Sequence, residues 1–381
     1  MPAKPAAPAL LFHADTASSR DLLYLGRFEC HDPFIALRHR DRSLAVLNAL
    51  EFGRGLKESA FDEILPLEPL QAEARKARPE LRPGPADIIA LLAAKRRIDR
   101  FVVPDDFPAG LLERLRARGL DVSVAAGPVL PEREIKTARE AAAIRAGNRV
   151  AAAGFAAAES LLRRAKIAGK KLLLDGQPLT SERVRLAIEI ACLEAGGLAL
   201  DTIVAGGDQA CDPHCRGHGP LRANELIIVD IFPRHAATGY HGDMTRTYLK
   251  GRASAERRAL VDAVATAQKA ARKVLRGGAI ASAVHAECVK VFTARGYETK
   301  PTPKGAIGFF HGTGHGLGLA VHEAPRISSP ANEPLKTGAV VTVEPGLYYP
   351  GLGGCRIEDV AWLTDTGHKL LSAHPYEWEF S

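Results

Sequence analysis

The stretch from His311 to Glu358 sets the tightest limit on how this chain can fold. It reads His311-Gly-Thr-Gly-His315-Gly-Leu-Gly-Leu-Ala-Val-His322-Glu323, then Thr342-Val-Glu344-Pro-Gly, then Gly354-Cys-Arg356-Ile-Glu358-Asp359. Glu344 follows the apolar run Ala339-Val-Val-Thr-Val and Glu358 follows Ile357, so both carboxylates lie where a core would bury them. Burying an uncompensated carboxylate costs several kcal/mol. With three histidines close by, a divalent metal is the natural source of the missing positive charge.

The remaining ligands must come from elsewhere in the chain. Glu225-Leu-Ile-Ile-Val-Asp230-Ile-Phe reads as an apolar strand with an acid at its end. After a turn through Pro233 to Gly239, Tyr240-His-Gly-Asp243-Met-Thr-Arg-Thr-Tyr-Leu reads as its antiparallel partner. Asp230 and Asp243 can then share one face with converging carboxylates, which repel unless a cation lies between them. Asp230, Asp243, His315, Glu344 and Glu358 make a set of four carboxylates and one imidazole. That is too rich in carboxylate for a lone structural zinc, and it suits two hard-to-borderline divalent ions bridged by carboxylates and a hydroxide. Strand alternation places Thr342 with Glu344, Asp243 with Thr245, and Arg356 with Glu358, so Arg356 should point into the same cleft.

Composition matters mainly for what it excludes. The 381 residues suffice for two domains with real cores, and 46% hydrophobic with 25% charged residues is ordinary for a soluble globular protein. The net charge of +7 comes with Lys and Arg interspersed among acids, so no nucleic-acid partner is expected. Six cysteines spread through a chain this long do not make a disulfide scaffold and point to a reducing compartment. The N-terminus, with three prolines in its first eight residues, has no apolar core of a signal peptide, and no window is apolar enough to span a membrane. The expected location is the cytoplasm.

Residues 9 to 128 read as a mixed α/β unit. Strand-length runs occur at Ala9–Phe12, Phe34–Leu37, Ser43–Leu47 and Phe101–Val103, with helical periodicity from Ala86 through Lys95-Arg96 and from Ala109 to Arg118 before Gly119. No metal-ligand cluster or phosphate loop appears there, and a supporting or oligomerising role is expected. Gly127-Pro-Val-Leu-Pro131 reads as a linker, which divides the chain into residues 1–128 and 132–381. A long helix is expected from about Glu134 to Ala165, and others at Ser181–Ala195, Ala255–Leu275 and Ala281–Arg295. Helices in this order with antiparallel hairpins between them indicate α+β rather than a doubly wound sheet.

Taken together, these segments resemble the metallopeptidases of the pita-bread fold, which include Xaa-Pro aminopeptidases, prolidases and methionine aminopeptidases. The resemblance rests on His311-x-x-x-His315-Gly-x-Gly, His322-Glu323, Val343-Glu344-Pro-Gly, Arg356-Ile-Glu358-Asp359, Asp243-Met-Thr-Arg-Thr and Pro213-His214. More weakly, it extends from about Arg133 to the C-terminus, and Arg20-Asp-Leu-Leu-Tyr-Leu is similar to the N-terminal domain of the proline-specific branch. It implies a pita-bread catalytic domain preceded by a smaller mixed α/β domain. It also implies two divalent ions, Mn²⁺ first with Co²⁺ or Zn²⁺ as alternatives, on Asp230, Asp243, His315, Glu344 and Glu358. His214, His311 and His322 would contact substrate or support the ligands, and Arg356 would stand beside the last ligand. Glu344 would move the proton from a bridging hydroxide to the leaving nitrogen, while His322 and His214 stabilise the oxyanion. The implied partners are peptides with proline in second position, and the implied assembly is a homodimer.

Xaa-Pro aminopeptidase activity is the first reading, Xaa-Pro dipeptidase (prolidase) the alternative, and a metal-free peptide-binding module a third that would require ligand loss. Two features depart from the family pattern. Asp230 and Asp243 are 13 positions apart in this sequence, two more than is usual, and the interval from Glu344 to Glu358 is short, closer to the prolidases. The even insertion lets a longer turn keep the strand register. Two local motifs tempt other readings. Cys211-Asp-Pro-His214-Cys215-Arg-Gly-His218 lacks a second Cys/His pair at zinc-finger spacing. The glycines of 312–318 do not follow a strand-to-helix dinucleotide pattern and more simply let backbone pass close to a metal.

Overall fold

The computed structural model describes residues 7–77, 79, 82–303 and 305–381. The leading residues 1–6, part of the segment read above for a signal peptide, lie outside the described residues. The chain divides into two compact units, one ending at Pro131 and one running Glu132–Ser381.

The first unit is built on a mixed six-stranded sheet, in the order Glu63–Pro66, Arg42–Leu47, Phe34–His39, Ala9–Ala14, Arg100–Val103, Asp121–Val124. Its apolar runs are buried on both faces. Leu11, Ile35, Leu37, Phe101 and Val103 pack with Ile88, Ile89 and Leu92 of helix Pro85–Arg96. Phe12, Phe34, Ala36 and Leu47 pack in a second cluster with Leu22 of helix Arg20–Gly26. The four strands expected from sequence are present. The edge strands Glu63–Pro66 and Asp121–Val124 escaped it because they are short and poor in buried residues: Val122 is the one fully buried side chain between them.

The second unit pairs helices with sheets. Helices Ala138–Arg164 and Ser181–Glu194 pack on a four-stranded sheet ordered Ile203–Gly206, Ile227–Ile231, Met244–Lys250, Glu379–Phe380. Helices Ala255–Val274 and Ala281–Ala294 back a five-stranded sheet ordered Glu323–Ile327, Gly314–Gly316, Val340–Val343, Asp359–Leu363, His368–Leu370. The hairpin Gly346–Tyr349 with Gly353–Arg356 belongs to the same unit. The first of these helices begins four residues later than expected. Pro131–Glu134 forms a 3₁₀ turn, and Thr137 caps the α-helix: its hydroxyl accepts from Glu140 N at 3.3 Å while the Glu140 carboxylate accepts from Thr137 N at 2.8 Å.

The longer Asp230–Asp243 turn keeps its strand register, with Asp230 opposite Thr245 and Ile231 opposite Met244. The added residues form a short ladder of their own, Arg234–His235 pairing with Gly197–Leu198. No helix of the described residues is long and apolar enough to cross a membrane.

Candidate metal centre and active-site cleft

Strand parity decides which side chains meet. Ile227, Val229, Ile231, Met244 and Tyr248 point to the helix-side core, so Asp230, Asp243 and Thr245 point the other way. Asp243 lies two residues along from the partner of Asp230, the diagonal position on the same face. In the second sheet Val341, Val343 and Ala361 belong to the helix-side core, which turns Thr342, Glu344 and Glu358 to the opposite face. Thr245 ties the two sets together: its hydroxyl donates to Glu358 Oε2 at 2.8 Å, and Glu358 N donates to Thr245 O at 3.0 Å.

Two close backbone approaches fix the segments that carry the candidate ligands. Helix Ala138–Arg164 crosses the Asp243 strand at Gly147 and Gly242, where a Cβ on either would overlap the other's backbone. The next helical residue, Asn148, is buried and accepts from Asp243 N through Oδ1 at 3.0 Å. Gly314 and Gly316 flank His315, and a Cβ on them would strike the carbonyls of Thr342 and Ala324. His315 Nδ1 donates to Gly316 O at 3.0 Å, which turns Nε2 toward the carboxylates as the candidate ligand atom, 3.1 Å from Glu344 Oε1 and 3.7 Å from Asp243 Oδ2.

All nine residues singled out from sequence line one cleft of about 700 Å³: His214, Asp230, Asp243, His311, His315, His322, Glu344, Arg356 and Glu358. Asp243, His315 and Glu358 each offer a ligand atom, and these atoms all lie within 4.8 Å of one another. Burial, and then the neighbouring carboxylates, hold Asp243 and Glu358 well above the usual carboxylate range. Burial also raises Asp230, against the pull of Arg356, and its Oδ1 is buried without a hydrogen-bond partner. Burial opposes charge on Glu344 and His315 as well, yet their hydrogen-bonded pairing pushes His315 up to about 9 and Glu344 down to about 2. A buried group of mutually repelling carboxylates with an orphaned oxygen, and an imidazole Nε2 turned toward them, is a donor set that divalent cations fit.

The other predicted residues divide by role. Arg356 is buried, donating through Nη2 to Asp230 Oδ2 at 2.8 Å and through Nη1 to the Tyr348 hydroxyl at 2.9 Å. Tyr348 in turn lies 2.9 Å from His311 Nε2, and His311 Nδ1 donates to Gly312 O at 2.7 Å. Both His311 nitrogens are thus engaged by protein, and burial lowers its pKa to about 4. His322 stands at the exposed rim, its ring 4.4 Å from that of His315; desolvation and the charges of His315 and Arg326 lower it to about 4. His214 is also exposed at the cleft wall.

Sequence reasoning missed Tyr348, Asn148 and Arg326. Tyr348 sits in an apolar strand with nothing to mark it, although its pairing opposite Gly354, two residues from Arg356, places it on the arginine's face. Asn148 is one polar residue in an Ala-rich helix. Arg326 lies four residues beyond His322, and the strand pairing sets it directly opposite His315. Cys211 and Cys215 are free thiols, and burial pushes Cys211 up to about 12.

Two helix-backed sheets closing on a carboxylate–histidine cluster define a metal-dependent hydrolase site. Residues 142–365 match metallopeptidase family M24. The match covers more than half of the chain, and the protein belongs to this family. A Xaa-Pro dipeptidase of Pyrococcus furiosus is 34% identical over 175 residues, 46% of this chain and 47% of that protein. The chain thus aligns with about half the length of the curated relatives it matches. Among solved structures, a Xaa-Pro dipeptidase from Bacillus anthracis superimposes with a TM-score of 0.82 at 22% identity, covering 98% of this chain and 95% of that one. Dipeptidase PepE from Mycobacterium ulcerans superimposes with a TM-score of 0.76 at 27% identity, over 98% and 92%. The α+β, pita-bread architecture implied by the sequence motifs is the fold of this protein.

Proposed function

We propose that this chain is a Xaa-Pro dipeptidase, hydrolysing the bond between an N-terminal residue and a C-terminal proline. This reverses the order read from sequence, where aminopeptidase activity stood first. The names of the relatives favour the reversal, and one observation of the cleft carries it. Arg326 lines the cleft opposite His315 and, among the described residues, has no hydrogen-bond or ion-pair partner. An unpaired guanidinium one strand from the metal centre suits a carboxylate placed one residue beyond the scissile bond. A dipeptide has that carboxylate; a longer peptide has an amide there.

Asp230, Asp243, His315, Glu344 and Glu358 would hold two divalent cations, with Mn²⁺ first among them. When bound, such a pair polarises the scissile carbonyl and makes hydroxide available near neutral pH. The chain's own residues do the rest. Glu344, kept ionised, accepts a proton on a carboxylate oxygen and passes it to the departing proline nitrogen. His322, neutral at pH 7, donates one N–H to the developing oxyanion, with His214 across the rim as a second donor. Arg356 holds Asp230 and Tyr348 in place, and Arg326 anchors the substrate's C-terminus.

The test compares a Xaa-Pro dipeptide with the same dipeptide amidated and with Xaa-Pro tripeptides, using Mn²⁺-loaded protein. The dipeptide should be the best substrate, and Arg326→Ala should raise its KM at least tenfold with a smaller change in kcat, consistent with loss of about 1.5–3 kcal/mol from a charged hydrogen bond. Tripeptides cut as fast as dipeptides, with Arg326→Ala silent, would return the aminopeptidase reading to first place.

A further inference from the structure

The His322-Glu323 pair carries part of the family resemblance, yet the proposed chemistry uses only its histidine. Glu323 does not line the cleft, but it lies in sequence between two residues that do, His322 and Arg326. It opens strand Glu323–Ile327, whose far end is fixed by Ile327, fully buried in the helix-side core. The ladder holds the near end less directly. Arg326 stands opposite His315 but Glu323 opposite Gly316, so Ala324 and Pro325 bulge out between them. Such a bulge loosens the register that would otherwise aim the neighbouring side chains.

Charge supplies the anchor at that end. Glu323 Oε2 accepts from Lys136 Nζ at 3.0 Å, while Oε1 accepts from Ala320 N at 3.0 Å and pairs with the Arg133 guanidinium. The side chains of Lys136 and Glu323 are only 1 and 8% exposed. Burial opposes the charge on Glu323, yet Lys136 and Arg133 hold its carboxyl below the usual carboxylate range. Both partners sit on fixed backbone. The carboxylate lies over Gly318, where a Cβ would come within 2.6 Å of it, and Gly318 O accepts from His241 N at 2.8 Å. Lys136 N donates to Gly338 O at 2.8 Å, one residue before Thr137 caps helix Ala138–Arg164.

We propose that Glu323, clamped by Lys136 and Arg133, is a positioning residue that sets His322 and Arg326 at the cleft rim. An apolar side chain would secure the strand with less desolvation, because a buried ion pair gives little net stability. What a carboxylate held by three donors adds is orientation. His322 is the preceding residue and Arg326 stands across the bulge, so a shift of Glu323 moves both. The proposal deepens the dipeptidase reading, since it rests on the roles given there to His322 and Arg326.

Lys136→Met in the full, Mn²⁺-loaded chain tests it, because Arg133 still compensates the Glu323 charge in that variant. Steady-state kinetics on a Xaa-Pro dipeptide and on its amide are read beside bound metal and amide hydrogen exchange. With metal content unchanged, kcat/KM for the dipeptide should fall about tenfold or more. The preference for dipeptide over amide should narrow as Arg326 loses its aim. Exchange should rise across residues 317–327 while helix Ala255–Val274 stays as protected as in wild type. Lys136→Arg should restore most of both. Unchanged kinetics, or exchange that rises equally in the helix, would overturn the proposal and leave the cluster an ordinary support of the fold. A wild type that does not prefer the dipeptide to its amide would instead sink the dipeptidase reading, and the exchange comparison alone would then decide the clamp.

Discussion

At the scale of single residues, the centre is a set of groups each unfavourable alone. Asp243 and Glu358 are raised by burial and then by neighbouring carboxylates, Asp230 beside Asp243 and Asp243 beside Glu358, and His315 is raised to about 9 through Glu344. A group whose pKa is raised in the folded state contributes stability that is lost as pH climbs through the folded value. His311 and His322, lowered to about 4, act oppositely, but only below the unfolded histidine value of 6.5. Above pH 7 only the raised groups count. Metal-free protein should therefore lose thermal stability between about pH 7 and 9, and saturating Mn²⁺ should flatten that slope by taking the place of the protons. Melting curves in chelator that stay level or rise over this range would contradict the assignment. Tyr348 offers a second test at this scale. Tyr348→Phe removes the link between Arg356 and His311 without touching a ligand, so kcat should fall roughly 10-fold or more with metal content retained. Metal analysis beside steady-state kinetics checks both halves.

At the scale of elements, close backbone packing places the candidate ligands. The Gly147–Gly242 crossing brings Asn148 against Asp243 N, so Gly147→Ala should force the helix off the strand. An overpacking cost of about 1–3 kcal/mol is expected, together with weaker metal binding, measurable by chemical denaturation and by metal titration of the same variant. This crossing was not legible in sequence. Gly147 looks like one small residue in an Ala-rich helix, and only the three-dimensional approach of Gly242 gives it meaning. The cleft-facing carboxylates were legible, because alternation puts Asp230, Asp243, Glu344 and Glu358 on faces that the flanking Val and Ile residues leave to the cleft. Helix starts were less so. Thr137 and Glu140 form a capping box, but the apolar periodicity runs back past it to Ile135, and the expected helix began too early. Arg326 was overlooked because a lone arginine four residues after a histidine carries no signal until strand pairing sets it across from His315.

At the scale of the whole molecule, the catalytic half shares its fold with the M24 metallopeptidases, and the family match spans residues 142–365. That fold brings the candidate ligands, from residues 230 to 358, to one cleft. It explains why no short stretch of the chain could supply the proposed activity and why the histidine-rich segment alone left the candidate metal set incomplete. The central claim is that Asp230, Asp243, His315, Glu344 and Glu358 together hold two divalent ions that the reaction requires. The most direct measurement is a Mn²⁺ titration of chelator-stripped protein, following bound metal and Xaa-Pro dipeptide hydrolysis in the same samples. Activity should rise with binding and level off at two equivalents per chain, and Glu358→Ala should bind fewer and hydrolyse nothing. Full activity with one equivalent or with none, or an active Glu358→Ala, would contradict the account.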